Sequence, residues 1–182
     1  MSLNSHTLHL TARGTDEASA WYQRAFGAEE LTRLVVPGGR LIHVEVRIGT
    51  LTVMLADEFP EMESFGPQHF GGTYGAVYLH VDDVDDAWQR AVDAGAIVIR
   101  PLSDTFWGER EGQFLDPFGH RWGLTQHLRD VPLAELQELT TAAFSVEEPA
   151  ATSRQNALRT SPGQGGRPIT HTSIRSRRCT PG

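Results

Sequence analysis

The feature that most limits what this chain can become is a repeat inside it. Leu8-His9-Leu10-Thr11-Ala12 and Val77-Tyr78-Leu79-His80-Val81 are short alternating runs about 69 residues apart, each with the period of a half-buried strand. Each leads into an acidic start, Thr15-Asp16-Glu17 in the first half and Asp82-Asp83 in the second. Each then continues as an Ala-rich amphipathic stretch, carrying Trp21, Tyr22 and Phe26, or Trp88, Ala91 and Val92. Early acids suit a helix N-terminus, whose free N–H groups carry partial positive charge. Both stretches close on a Gly-Ala pair, Gly27-Ala28 and Gly95-Ala96, and glycine accepts the left-handed turn that ends a helix. Three strand candidates follow each helix, over about 30–36, 40–48 and 51–56 and again over about 97–102, 110–115 and 120–126. Pro37-Gly38-Gly39, Gly49-Thr50 and Asp116-Pro117-Phe118-Gly119 are the turns between them. The chain therefore predicts an α+β fold of two βαβββ modules, about 6–56 and 75–127, each a mixed sheet with a helix on one face.

Residues 57–74, rich in Pro, Gly and acids, join the modules and read equally well as a lid or a plain connector. A short helix is predicted at about 132–143, opened by Pro132, so residues 1–143 form the domain. Residues 144–182 lose all periodicity and read as a disordered tail. That tail concentrates positive charge, with six Arg and two Glu over 145–182; the total of −7 leaves −11 on residues 1–144. An acidic body argues against nucleic acid as a partner. No apolar run approaches the roughly 20 residues of a membrane span. The start of the chain lacks a basic patch followed by an apolar stretch, so the cytoplasm is the expected location. The single cysteine, Cys179, excludes an internal disulfide and a Cys-based metal site.

Particular runs give the doubled unit a family likeness. These are Phe26-Gly27-Ala28-Glu29-Glu30, Met54-Leu55-Ala56-Asp57-Glu58, Val81-Asp82-Asp83-Val84, Phe106-Trp107-Gly108-Glu109-Arg110 and Asp116-Pro117-Phe118-Gly119-His120-Arg121-Trp122. Together they resemble the vicinal-oxygen-chelate superfamily (glyoxalase, bleomycin resistance protein and dioxygenase), and within it the PhnB-like branch. The resemblance implies curved sheets around a cavity with the helices outside, and a homodimer. It implies little about reaction, because this fold carries many.

Strand parity then sorts side chains by face. Leu8, Leu10 and Ala12; Ile42, Val44, Val46 and Ile48; Leu51, Val53 and Leu55; Val77, Leu79 and Val81; and Trp122 and Leu124 read as the helix side. His9, His43, Glu45, Arg47, Met54, Tyr78, His80 and Arg121 then face the cavity. Metal-dependent relatives place His, Gln or Glu at four inward positions, and alignment on the strand–helix junctions puts those at Thr7, Met54, Ala76 and Gly123. None of these offers an imidazole, carboxylate or amide, so no metal and no other cofactor is expected. His43 and Glu45 with His9 and His80 are a conceivable displaced ligand set. Trp21, Trp88 and Trp122 are expected in the core, His120 in a structural role, and Phe106 and Trp107 near the inner surface.

The ligand-binding candidates are therefore His9, His43, Glu45, Met54, Tyr78, His80, Trp107 and Arg121. Aromatic walls suit a small organic ligand, and the superfamily's drug-binding members suggest a natural-product antibiotic held without metal. Two alternatives stay open: an acid–base lyase or isomerase with Glu45 and His43 or His80 as the catalytic pair, and a metal-dependent enzyme with displaced ligands.

Overall fold

The computed structural model describes residues 7–145. The first module runs β1 (Thr7–Ala12), α1 (Thr15–Phe26), β2 (Glu29–Val35), β3 (Leu41–Ile48) and β4 (Leu51–Asp57). The second runs β5 (Ala76–His80), α2 (Val84–Asp93), β6 (Ile97–Asp104), β7 (Glu109–Leu115) and β8 (Arg121–His127), and α3 (Leu133–Phe144) follows. The strands form two four-stranded mixed sheets, ordered β1-β4-β3-β2 and β5-β8-β7-β6. In each, the first strand pairs parallel to the last and the others run antiparallel. This is the doubled α+β unit that the repeat predicts. The predicted tail lies outside the described residues from 146 onward.

The repeat extends to the way each helix begins. The first N–H groups of a helix have no partner within it. In the first module Thr15 N–H donates to Asp57 Oδ1 at 2.9 Å, from the end of β4. In the second, Val84 N–H donates to Gln126 Oε1 at 3.1 Å, from the end of β8. The two partners are themselves 69 positions apart. Asp57 Oδ2 also accepts from Leu41 N–H at 2.6 Å, so one carboxylate ties α1, β3 and β4 together. Gly27 ends α1 in the left-handed region at φ 65.

One core serves both modules. Val44, Val46, Val53 and Leu55 on the helix side of the first sheet are fully buried, as are Phe114, Trp122 and Leu124 on the second. Full burial of each such side chain contributes about 1.5–3 kcal/mol. The helices α1 and α2 pack on each other, and α1 reaches both sheets. Trp21 Nε1–H donates to Ala94 O at 2.8 Å beyond the end of α2. The Phe26 and Trp122 rings are 4.9 Å apart and those of Tyr22 and Trp122 5.4 Å. Trp21 and Trp122 are buried as expected, and Trp88 packs against the same core.

The parity reading needs one correction. Ile42, assigned to the helix side, is exposed, and Leu41 is buried in its place. Leu34 pairs with His43 but Val35 pairs with Leu41: an extra residue bulges β3 at Ile42 and reverses the phase of the strand end. Both sheets leave the face opposite the helices open. The two sheets are separate and are not closed into a barrel.

The connector is built, not slack. It makes two short 3-10 turns, Pro60–Met62 and Pro67–Phe70. Glu58 accepts from Arg13 Nε at 2.7 Å and from Gly66 N–H at 3.0 Å, and Gln68 Nε2 donates to Pro117 O of the second module at 3.0 Å. Gly66 lies so close to β1 that a Cβ there would sit 2.6 Å from Thr11 O.

Candidate functional site

On the open face of the first sheet, cross-strand pairing sets side chains in rows. His9 lies opposite Met54, Met54 opposite Glu45, and Glu45 opposite Thr32. The next row is Thr7, Thr52, Arg47 and Glu29, where Arg47 is paired with Glu29. His43 Nε2 stands 3.8 Å from Glu45 Oε2, beyond hydrogen-bond reach.

The second sheet carries the matching face. Tyr78 lies opposite Gly123, and Gly123 opposite Gln113. Because Gly123 has no side chain, the Tyr78 ring lies across it; a Cβ there would stand 2.5 Å from the ring carbons Cδ1 and Cε1. The Tyr78 hydroxyl reaches over to accept from Gln113 Nε2. The ring is 40% exposed, an aromatic surface held in place at both ends. Beside it His80 pairs with Thr125 and Ala76 with Arg121. Thr125 donates to Glu109 Oε2 at 2.9 Å. His127 Nδ1 meets Glu109 Oε1 at 3.0 Å, and this hydrogen bond holds the Glu109 carboxyl below its ordinary range.

Two of the recesses in the described residues lie beside the edge strands β5 and β1. One of about 470 Å³ lies between β5, the start of β4 and the helices, bordered by Tyr78, His80, Phe26 and Arg90. The other, about 290 Å³, lies between β1 and the connector, bordered by His9, Thr11, Phe65, Phe70, Tyr74 and His120.

The sequence pattern of the Glyoxalase/Bleomycin resistance protein/Dioxygenase superfamily matches residues 5–124. The chain belongs to this superfamily. It is 45% identical over 132 residues to an uncharacterized protein of Mycobacterium tuberculosis (strain ATCC 25618 / H37Rv), covering 71% of this chain and 78% of that one. Among solved structures it is similar to TioX from Micromonospora sp. ML1, with 33% identity, a TM-score of 0.56, and coverage of 69% of this chain and 100% of that one. It is also similar to TnmS3, an antibiotic binding protein from Streptomyces sp. CB03234, with 25% identity, a TM-score of 0.51, and coverage of 70% and 98%.

The four positions aligned with the ligands of metal-dependent superfamily members do not fit a divalent ion. Thr7 and Ala76 are exposed at the starts of edge strands, Met54 offers a thioether, and the space above Gly123 is filled by Tyr78. Catalytic divalent sites use about three N or O protein ligands. The displaced set fares no better, since Met54 separates His9 from Glu45 in their row. Among the described residues no three His, Cys, Asp or Glu side chains form a metal-holding group.

The superfamily fold thus sorts the sequence candidates into two groups. His9, His43, Glu45 and Met54 share the face of the first sheet, whereas Tyr78, His80 and Arg121 share that of the second. Glu45 has His43 as its neighbour at 3.8 Å on the first sheet, whereas His80 stands on the second. Trp107 joins neither group: it lies in the β6–β7 turn, packed edge-on against Phe106 at 4.8 Å. His120 is structural, as expected. It is buried, with Nε2 3.1 Å from Thr11 O and Nδ1 3.2 Å from Asp116 Oδ2. Asp116 also accepts from the Tyr22 hydroxyl at 2.6 Å and Trp122 Nε1 at 3.0 Å. Burial alone would raise its pKa, but the His120, Tyr22 and Trp122 hydrogen bonds hold it below the ordinary carboxylate range.

Gln113 and the connector aromatics Phe65, Phe70 and Tyr74 were invisible as site residues. The run Glu111-Gly112-Gln113-Phe114 alternates too weakly to betray its phase, and a loop has no phase at all. Pairing Gln113 with Gly123, one position before Leu124, is the signal that could have found it.

Proposed function

We propose that the chain is a metal-independent small-molecule-binding protein of the bleomycin-resistance type, whose residues 1–143 bind a natural-product antibiotic. The observation that carries this reading is the Tyr78 ring seated on Gly123, which puts a stacking surface where metal-dependent relatives place a ligand. Aromatic surfaces held rigidly by their neighbours lose little entropy on binding a flat molecule. The likeness to TnmS3, an antibiotic binding protein, supports the same reading. We further place the protein in the PhnB-like branch, in the cytoplasm and as a homodimer, in which a second copy would cover the open faces.

The test is thermal unfolding of chelator-treated protein against a panel of natural-product antibiotics. A true ligand at 100 times its Kd stabilises the fold by about 2.7 kcal/mol, which raises the melting temperature by several degrees. Tyr78→Ala should remove that shift. Loss of the shift on metal removal, with recovery on adding one equivalent of a divalent ion, would overturn the reading.

A further inference from the structure

We propose that the open face of the first sheet takes an elongated aromatic cation, with its ring in the recess beside β1 and its cationic nitrogen on Glu45. This rests on the small-molecule-binding reading and names a ligand class for it.

The recess supplies the aromatic end. Phe65 stacks on His69 with centroids 4.0 Å apart and meets Phe70 edge-on at 6.2 Å, so these rings are ordered. Even so, Phe70 is 67% exposed and Tyr74 wholly exposed. Large aromatic side chains open to water, with Phe70 packed on its neighbours, mark a surface that something covers. Across from them stand His9 and Thr11 of β1. A volume of about 290 Å³ is at the small end of ligand pockets. It suits one part of a ligand, and the remainder has to lie outside.

The way out passes His9 onto the sheet. From His9 the row crosses Met54 to Glu45, two strand spacings or about 10 Å. Met54 is a polarizable floor for an alkyl or aryl spacer. At Glu45, on the strand beyond Met54, the carboxylate has no guanidinium partner among the described residues. Arg47, its neighbour on the strand, is held by Glu29; Arg13 is held by Glu58 and Arg40 by Glu61. Each of these three arginines is thus neutralised by another carboxylate. Among the described residues the charged neighbour of Glu45 is His43 at 3.8 Å, which carries charge only when protonated. The acidic body adds a field that draws in cations.

The experiment uses the full chain and a homologous probe series. It follows the binding of ω-phenylalkylamines of increasing chain length, with the phenylalkanols and phenylalkanoates of equal length, by protein chemical-shift changes. The amines should bind best, with an optimum where ring and nitrogen are further apart than the roughly 10 Å row from His9 to Glu45. They should exceed the alcohols by about five-fold, the gain of a partly exposed charge pair, and the alkanoates by more. Glu45→Gln, with its fold checked by melting temperature, should bring the amine down to the alcohol. Phe70→Ala should weaken both alike. Equal binding of amine and alcohol, an amine preference that survives Glu45→Gln, or no binding by any probe overturns the inference. An antibiotic hit that is neutral or anionic and depends on Tyr78 would sink this ligand class and leave the binding reading standing; failure of the antibiotic panel as well would sink both.

Discussion

Asp116 shows how a single residue couples a local turn to the whole core. Its Oδ1 accepts from Phe118 N–H at 3.0 Å and His120 N–H at 2.9 Å, which sets the β7–β8 turn. Its Oδ2 takes the hydrogen bonds from Tyr22 on α1 and Trp122 on β8. A buried charge costs several kcal/mol unless fully hydrogen-bonded, and here each oxygen has partners. Removing the Tyr22 hydroxyl as Tyr22→Phe should cost about 1.5–3 kcal/mol, the range for a hydrogen bond to a charged group, read as a lower denaturant midpoint. The pH dependence follows from the lowered pKa. A carboxyl that ionises more readily folded than unfolded stabilises the fold above its unfolded pKa, near 3.9. That contribution is lost as pH falls through the lower folded value. Melting temperature should therefore fall below about pH 4, and Asp116→Asn should be less stable at neutral pH and flatter across the acid range. An acid profile unchanged by Asp116→Asn would remove this residue from the account.

Among the strands, two glycines only 11 positions apart do opposite work. Gly112 on β7 faces the helix side, where a Cβ would meet the Trp88 ring at 2.5 Å and Leu102 N at 3.0 Å. Ring and backbone are both packed, so Gly112→Ala should cost about 1–3 kcal/mol through overpacking. Gly123 on β8 faces the open side, where the obstruction is the half-exposed Tyr78 ring. That ring can swing into solvent, so Gly123→Ala should change stability by less than about 1 kcal/mol yet weaken ligand binding by displacing Tyr78. Parallel urea unfolding and binding measurements separate the two. If Gly123→Ala binds as the parent does, the seated ring is not the binding surface. The same contrast explains what could be read beforehand. Where apolar and polar residues alternate cleanly, as in Val77-Tyr78-Leu79-His80, the face of every side chain was legible, including Tyr78 and His80. Where a bulge intervenes, as at Ile42, parity failed, because bulges arise from cross-strand pairing and not from the strand's own residues.

At the scale of the whole molecule, the shared core makes the modules one thermodynamic unit. Trp21 contacts Phe26, Phe114 and Ala94 O, spanning α1, β7 and the end of α2. Trp21→Ala should cost about 3–5 kcal/mol. Calorimetry of the parent chain should give one transition whose van't Hoff and calorimetric enthalpies agree. Two separate transitions, or a stable isolated first module, would contradict the shared core. The doubled βαβββ order, the helix ends and the lack of an imidazole, carboxylate or amide at the four aligned positions were all present in the sequence, because they depend on neighbours within a few residues or on a repeat of fixed length. The partition of His9 and Glu45 from Tyr78 and His80, the Tyr78–Gly123–Gln113 row and the aromatic recess at β1 came only from tertiary structure. They arise from which strands pair, in which register, and how the connector folds back, and those choices are made by the burial of one core that no local segment contains.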